Sequence, residues 1–162
     1  MIAIIESPYK ADTDALLRRN QHYAQLISRY MSKKHNCATF ASHLLYTQFL
    51  HDGDAEERKL GMELGLQMTR TLCEHAPVMW VWGTDYGMSS GMNAALNMAN
   101  KDYRSYPEKY VQKYQFTMSA FAKDIFEEFA QKDFTNIGAK LSWMDNVISL
   151  GIVFSMFDGE YQ

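Results

Sequence analysis

The apolar run Val78 to Trp82, with the sequence VMWVW, is the feature that most constrains the fold of this chain. Five consecutive apolar residues leave no polar face, so a strand formed by them has to be buried on both sides. Strands of this kind are typical of the centre of a parallel sheet. We therefore expect an α/β fold, with a Rossmann-like parallel sheet flanked by helices.

Strand and helix patterns alternate before this run. Residues 2–5 form a short apolar segment that ends before Pro8, and residues 37–40 are a plausible second strand. Between them, apolar residues recur at helical spacing, and Asp12 or Thr13 offers the N-cap. Residues 43–49 (HLLYTQF) fit either a loop or a helical turn.

Two further helices and a last strand complete the pattern. A second helix is predicted from about Ala55, because Leu60, Leu64, Met68 and Leu72 repeat every four residues. A third helix is predicted from near Gly91 to about residue 101. Residues 110–116 read as a final strand. Alternation of strands and helices is the pattern that predicts a parallel sheet.

The C-terminal part of the chain differs in character. Two helices are predicted after Thr117, and the second, from about Asn136 to Phe157, carries an apolar stripe that has to be buried against the domain or a partner copy. We therefore divide the chain into an α/β domain at residues 1–116 and a helical appendage at residues 117–162. We expect the appendage to serve packing or to form a homo-oligomer.

Composition excludes several classes of protein. The chain has 162 residues, of which 47% are hydrophobic and 22% charged, which argues against intrinsic disorder. A net charge of −3 gives no basic footprint for duplex nucleic acid. No apolar stretch reaches the roughly 18 residues of a membrane span. Isolated thiols at Cys37 and Cys73, and a start without a basic leader, predict a cytoplasmic protein.

Two loops at the predicted carboxyl ends of strands are candidate ligand sites, because ligands of open α/β sheets bind there. The first is Glu6 to Tyr9, in which Tyr9 suits stacking on a base or is a surface tyrosine. The second is Gly83 to Gly91 (GTDYGMSSG), which leads into a helix. Free N–H groups at a helix N-terminus suit a phosphate, although polar glycine loops are often only connectors. Arg19 lies one turn beyond the first loop and either pairs with a phosphate or is exposed.

The sequence lacks the motifs of metal sites, of common cofactor sites and of a complete serine hydrolase triad. The five histidines show no HxxxH or HxH spacing, so we predict no metal site. No Walker A or GxGxxG motif is present, so we predict no cofactor. Residues 87–91 fit G-x-S-x-G formally, but no histidine follows His75, which disfavours a serine hydrolase of that class.

The strand that leads into Ser7-Pro8-Tyr9, followed by a helix with Arg19-Asn20, resembles the opening of nucleoside 2-deoxyribosyltransferase-like proteins. It is most similar to a branch of small bacterial and phage proteins. In that branch a segment like His43 to Leu50 follows the second strand, which adds His43 to the candidate residues. An acidic turn like residues 52–54 and a helix like residues 56–65 come next. The resemblance covers residues 1 to about 101.

The resemblance implies chemistry at an N-glycosidic bond. Members of the wider family cleave or exchange the bond between base and deoxyribose, usually with a glutamate nucleophile that forms a covalent sugar intermediate. In the related branch the loop runs Ser-x-Gly-Met-x-x-Glu. The corresponding positions here are Ser89, Gly91, Met92 and Ala95, so alanine stands where the family has its nucleophile.

Three hypotheses follow. The first is a nucleotide- or nucleoside-binding protein that has lost the nucleophile. The second is an active N-glycosidase or deoxyribosyltransferase in which Asp85, Glu6 or a carboxylate from a partner chain, such as Glu108, Glu127 or Glu128, takes the missing role. The third is a protein-interaction module that uses the C-terminal helices.

The candidate catalytic residues are therefore Asp85 and Glu6. The candidate ligand-binding residues are Ser7, Pro8, Tyr9, Arg19, His43, Gly83, Asp85, Gly87, Met88, Ser89, Ser90, Gly91 and Met92.

Overall fold

A computed structural model describes residues 1–102 and 111–131 of the chain. The predicted helix at 136–157 and its role in an oligomer lie outside these residues. Within the described part, no helix is both long and apolar enough to cross a membrane.

Four parallel strands form one sheet, which confirms the predicted α/β fold. The strands are β1 (Ile2–Glu6), β2 (Ala38–Phe40), β3 (Val78–Gly83) and β4 (Val111–Phe116), in the spatial order β2-β1-β3-β4. The apolar run at 78–82 lies in β3, between β1 and β4, and its burial on both faces explains its composition.

The helices join these strands in the predicted order. They are α1 (Asp14–His35), α2 (Ser42–Leu45), α3 (Ala55–His75), α4 (Ser90–Asp102) and α5 (Met118–Gln131). The ambiguous segment after β2 is α2 followed by a 3₁₀ turn at Tyr46–Gln48. Thr13 caps α1 through a hydrogen bond from the Leu16 N–H, and Asp54 caps α3.

Side chains alternate between two hydrophobic layers across the sheet. Ala3, Ile5 and Val81 face a layer that contains Tyr23 of α1 and Phe121 of α5. Ile4, Trp80 and Trp82 face the other layer, together with residues from α3 and α4. Because successive residues of a strand point to opposite faces, Glu6 shares the face of Ile4 and lies on the side of α3 and α4.

The buried face of α3 is not its leucine stripe. Leu60 and Met68 are exposed, whereas Gly65, Thr69 and Cys73 are buried. Glycine lets the helix come close to its neighbour, since a Cβ at Gly65 would lie 2.8 Å from the Cβ of Ser42. The four-residue period therefore predicts the helix correctly, but close packing selects the small residues as its inner face.

Replacing Gly83 with alanine is expected to destabilise the fold by about 1–3 kcal/mol through overpacking. A Cβ at Gly83 would lie 2.4 Å from Cδ1 of Ile27 and 2.7 Å from Cε1 of Tyr23, and both side chains are fully buried. Gly91→Ala is the control, because its Cβ meets only Oγ of Ser89 at 3.8 Å. Urea unfolding of both variants measures the difference, and equal midpoints would contradict the expectation.

Candidate functional site

A cavity of about 380 Å³ opens between the carboxyl end of β1 and the N-terminus of α4, the helix that follows β3. β1 has β2 on one side and β3 on the other, so the strand order reverses between them. Such a switch point is where open α/β sheets bind their ligands. The cavity volume is in the range of small-molecule sites. The walls come from the loop after β1, from α2 and the 3₁₀ turn, from α3, and from the N-terminus of α4.

Glu6, the last residue of β1, brings a carboxyl group into the cavity wall. Its Oε1 accepts a hydrogen bond of 3.3 Å from Nε1 of Trp80 on the neighbouring strand. Burial raises the pKa of Glu6 to about 7, and the bond from Trp80 offsets only part of that rise. A carboxyl group that titrates near neutral pH is suited to proton transfer.

Ser7 and His43 form a pair in the same wall. Oγ of Ser7 lies 3.1 Å from Nε2 of His43, although 36 residues separate them in the sequence. Burial lowers the pKa of His43 to about 4, so the ring is neutral at pH 7. The ring of Tyr9 lies 5.7 Å from that of His43. The two rings are inclined by 59°, so a flat aromatic ligand can stack on one of them rather than on both at once.

The N-terminus of α4 forms another part of the cavity wall. Oγ of Ser89 caps the helix by accepting a 3.2 Å hydrogen bond from the N–H of Met92. The first N–H groups of a helix, here those of Ser90 and Gly91, have no acceptor within the helix. All of these residues line the cavity. The helix dipole and these donors make this wall favourable for an anion.

A charged rim comes from the start of α3. Arg58 forms an ion pair with Asp52, with Nε 3.3 Å from Oδ1, and donates a 2.9 Å hydrogen bond from Nε to the Asp52 carbonyl. Glu57 accepts a hydrogen bond from the N–H of His51. The guanidinium group of Arg58 is thus already held by the acidic turn at the mouth of the cavity.

Ala95 lies in the cavity wall, at 1% exposure. This is the position at which the resemblance predicts a glutamate nucleophile. The cavity wall therefore carries an alanine side chain where the resemblance implies a glutamate carboxylate.

Eight of the sequence-predicted residues come together around the cavity. They are Glu6, Ser7, Tyr9, His43, Ser89, Ser90, Gly91 and Met92.

Asp85 is not a cavity residue, and its carboxylate is engaged on the other side of the sheet. It accepts hydrogen bonds from the hydroxyl of Tyr23 in α1 and, at 3.0 Å, from the N–H of Met118 at the start of α5. The structure thus separates the two predicted catalytic carboxylates, since Glu6 faces α3 and α4 while Asp85 bonds to α1 and α5.

The other five predicted residues, which also lie outside the cavity, are Arg19, Gly87, Pro8, Gly83 and Met88. The guanidinium carbon of Arg19 lies 3.9 Å from the centre of the Tyr86 ring, and Arg19 donates a hydrogen bond to Oδ1 of Asn20. Gly87 has φ of +84°, a turn conformation that favours glycine. Pro8 and Gly83 are buried, and Met88 is exposed, all without lining the cavity.

Apart from His43, sequence reasoning missed the parts of the cavity wall formed by α2, the 3₁₀ turn and α3. One signal was present, because Gly61, Gly65, Thr69 and Cys73 place small residues every four positions along α3. Such spacing indicates close approach of another segment. The missed cavity residues are Lys10, Ser42, Tyr46, Thr47, Leu50, Asp52, Glu57, Arg58, Gly61, Met62, Gly65, Leu66 and Thr69.

Comparison with known proteins gives one match. Residues 1–108 match the family described as "Domain of unknown function (DUF7768)". No curated protein and no solved structure matches the chain.

Proposed function

Because the chain belongs to the DUF7768 family, whose description assigns no activity, its function has to be inferred from the cavity, and we propose that this cavity binds a nucleotide. On this proposal, the chain has a scaffold like that of deoxyribosyltransferases but lacks their usual glutamate nucleophile. One observation carries the proposal: the N-terminus of α4 and the aromatic rings of Tyr9 and His43 line one cavity at the switch point of the sheet.

The two walls match the two ends of a nucleotide. The N–H groups of Ser90 and Gly91 suit the phosphate, because they combine unpaired donors with the positive end of the helix dipole. The rings of Tyr9 and His43 suit the base, and Leu50, Met62 and Leu66 add apolar surface beside them. Ala95 brings no carboxylate to the cavity, which favours binding without cleavage.

The first test is a thermal-shift screen of nucleosides and of nucleoside mono-, di- and triphosphates. A ligand at 100 times its Kd stabilises a fold by about 2.7 kcal/mol, which such a screen detects. Each ligand that binds is then incubated with the protein and analysed by chromatography for released base. Binding without base release is the expected result. Absence of binding by every nucleotide and nucleoside would contradict the proposal.

Replacing Ser90 with aspartate is expected to weaken nucleoside monophosphate binding by at least about tenfold, because it puts a negative charge where the phosphate binds. Binding of the matching nucleoside is expected to stay within about twofold, and the helix keeps or gains stability because acids are favourable at N-termini. Isothermal titration calorimetry measures both affinities.

Asn97→Asp supplies the control for that variant. It adds the same charge to an exposed position of α4 that does not line the cavity. Equal weakening of the nucleoside and the nucleotide by Ser90→Asp would contradict a phosphate at this helix end.

An N-glycosidase is the second candidate function, and Glu6 is the observation that favours it. Its pKa of about 7 allows the carboxylate to take a proton from a water molecule that attacks the anomeric carbon, while the C–N bond breaks and the protonated Glu6 returns that proton to the departing base. Asp85 is not placed to do so, since its carboxylate binds Tyr23 and Met118. Release of free base that is abolished by Glu6→Gln would favour this activity over binding alone.

A further inference from the structure

Glu6 has an incomplete set of hydrogen bonds for a carboxyl group in a cavity wall. Among the residues that the structure describes, its partner is the indole N–H of Trp80. Arg58 lines the same cavity, but its guanidinium group is bonded to Asp52. A carboxylate accepts about four hydrogen bonds, so its other lone pairs remain for donors supplied by solvent or by a ligand.

The position of Glu6 relative to α4 indicates which part of a nucleotide reaches it. Glu6 pairs in register with Trp82 of β3, the strand that leads through the following loop to α4. Neighbouring strands are about 4.8 Å apart. Glu6, Ser90 and Gly91 all line the cavity, so a nucleotide whose phosphate is bound by the N-terminus of α4 has its sugar, the group next to the phosphate, in the same cavity as the Glu6 carboxyl group.

We propose that Glu6 binds the 2′- and 3′-hydroxyl groups of a ribose, so that this cavity selects ribonucleotides over 2′-deoxyribonucleotides. This inference rests on the proposed nucleotide function and gives it a substrate class. Acidic side chains at the ends of strands hold ribose hydroxyls in the same way in other α/β nucleotide sites. The deoxyribose on which nucleoside 2-deoxyribosyltransferase-like proteins act has no 2′-hydroxyl group to donate.

The cavity is expected to discriminate between ribose and 2′-deoxyribose because an acceptor that is left without a hydrogen-bond donor costs free energy. With a ribose bound, the vicinal hydroxyl groups donate to the carboxylate, whose partner within the described part of the chain is Trp80. With 2′-deoxyribose, one of these donors is missing while the ligand still displaces water from the carboxylate. Sites built to bind a hydroxyl group reject the analogue that lacks it more strongly than apolar pockets reject a missing methylene.

The test measures Kd by calorimetry at pH 8 for matched pairs of ribo- and 2′-deoxyribonucleoside monophosphates with each of the common bases. We expect the ribonucleotide of the best-bound base to bind at least about tenfold more tightly than its deoxy partner. Glu6→Gln is expected to reduce this ratio to about threefold or less, because the neutral amide has one acceptor oxygen. Glu63→Gln, at an exposed position outside the cavity, is expected to keep the ratio.

The outcomes separate this inference from the proposal on which it rests. Equal binding of both sugars, or tighter binding of the deoxy form, overturns the role of Glu6 and leaves nucleotide binding intact. A ribonucleotide preference that persists in Glu6→Gln also overturns it. Binding of neither sugar form overturns the nucleotide proposal and this inference together.

Discussion

Replacing Glu6 with glutamine is expected to stabilise the fold relative to wild type as the pH rises. The difference in the free energy of unfolding between the variant and wild type is expected to be about 3 kcal/mol larger at pH 8 than at pH 4. Burial raises the pKa of Glu6 from 4.5 to about 7, so the folded state holds this proton more tightly than the unfolded chain. The stability that this group contributes is complete below pH 4.5 and is lost as the pH rises through 7. Glutamine carries no charge to bury, and its carbonyl still accepts from Trp80.

His43 is expected to act in the opposite direction. Burial lowers the pKa of His43 from 6.5 to about 4, so the unfolded chain binds the proton more tightly. Its contribution is complete above pH 6.5 and is lost as the pH falls through 4. Between about pH 4.5 and 6.5, the contribution of Glu6 to stability therefore falls with rising pH while that of His43 rises. The two effects offset each other in the wild-type protein, so its stability alone reveals neither.

Urea unfolding of wild type, Glu6→Gln and His43→Gln from pH 4 to pH 8 measures these slopes. Glu6→Gln is expected to gain stability with rising pH relative to wild type, and His43→Gln to lose it, each by about 3 kcal/mol over the range. Comparison at each pH cancels contributions from other groups, such as the lowered pKa of Asp54, whose carboxylate accepts N–H bonds from Glu57 and Glu56. Parallel pH profiles of the three proteins would contradict the expectation.

Replacing Asp85 with alanine is expected to destabilise the fold by about 1–3 kcal/mol. The hydroxyl of Tyr23, a fully buried residue, would lose its acceptor, and the N–H of Met118 would lose the carboxylate that caps α5. Nucleotide affinity is expected to stay within about threefold, because Asp85 does not line the cavity. Thermal and urea unfolding measure the first effect, and calorimetry measures the second.

Two further variants sharpen this test. Asp12→Ala removes an exposed carboxylate near α1, which Thr13 caps, and is expected to change stability by less than about 0.5 kcal/mol. Tyr23→Phe, alone and combined with Asp85→Ala, is expected to show a coupling of about 1–2 kcal/mol. Full stability of Asp85→Ala with loss of nucleotide turnover would instead support the catalytic role that the sequence assigns to Asp85.

Most of the fold could be predicted because its signals are local. The apolar run Val78 to Trp82 identifies a buried central strand, and helical spacing identifies α1, α3 and α4. The segment after β2 stayed ambiguous, because a four-residue helix followed by a 3₁₀ turn is too short for a clear period. Which face of α3 is buried also escaped prediction, since close approach to Ser42 outweighs the hydrophobicity of the leucines.

The candidate site was predicted where it follows directly from a strand end. Ser7, Tyr9, Ser89 and Ser90 lie in loops that a parallel sheet places at one edge, and all four line the cavity. Asp85 belongs to the same loops, but its side chain turns to the opposite side of the sheet. Loop residues have no alternation that fixes their direction, so sequence position alone did not separate Asp85 from Ser89.

The sequence by itself determined the strand and helix order, the parallel sheet and the two loops at its carboxyl edge, because these depend on periodicity and on the handedness of connections. Only the tertiary structure shows that Glu6 lines the same cavity as His43 and Ala95, whereas the carboxylate of Asp85 accepts a hydrogen bond from the first turn of α5. Burial from several distant segments raises the pKa of Glu6 and lowers that of His43. Such shifts depend on solvent exclusion in three dimensions, which no local pattern of residues encodes.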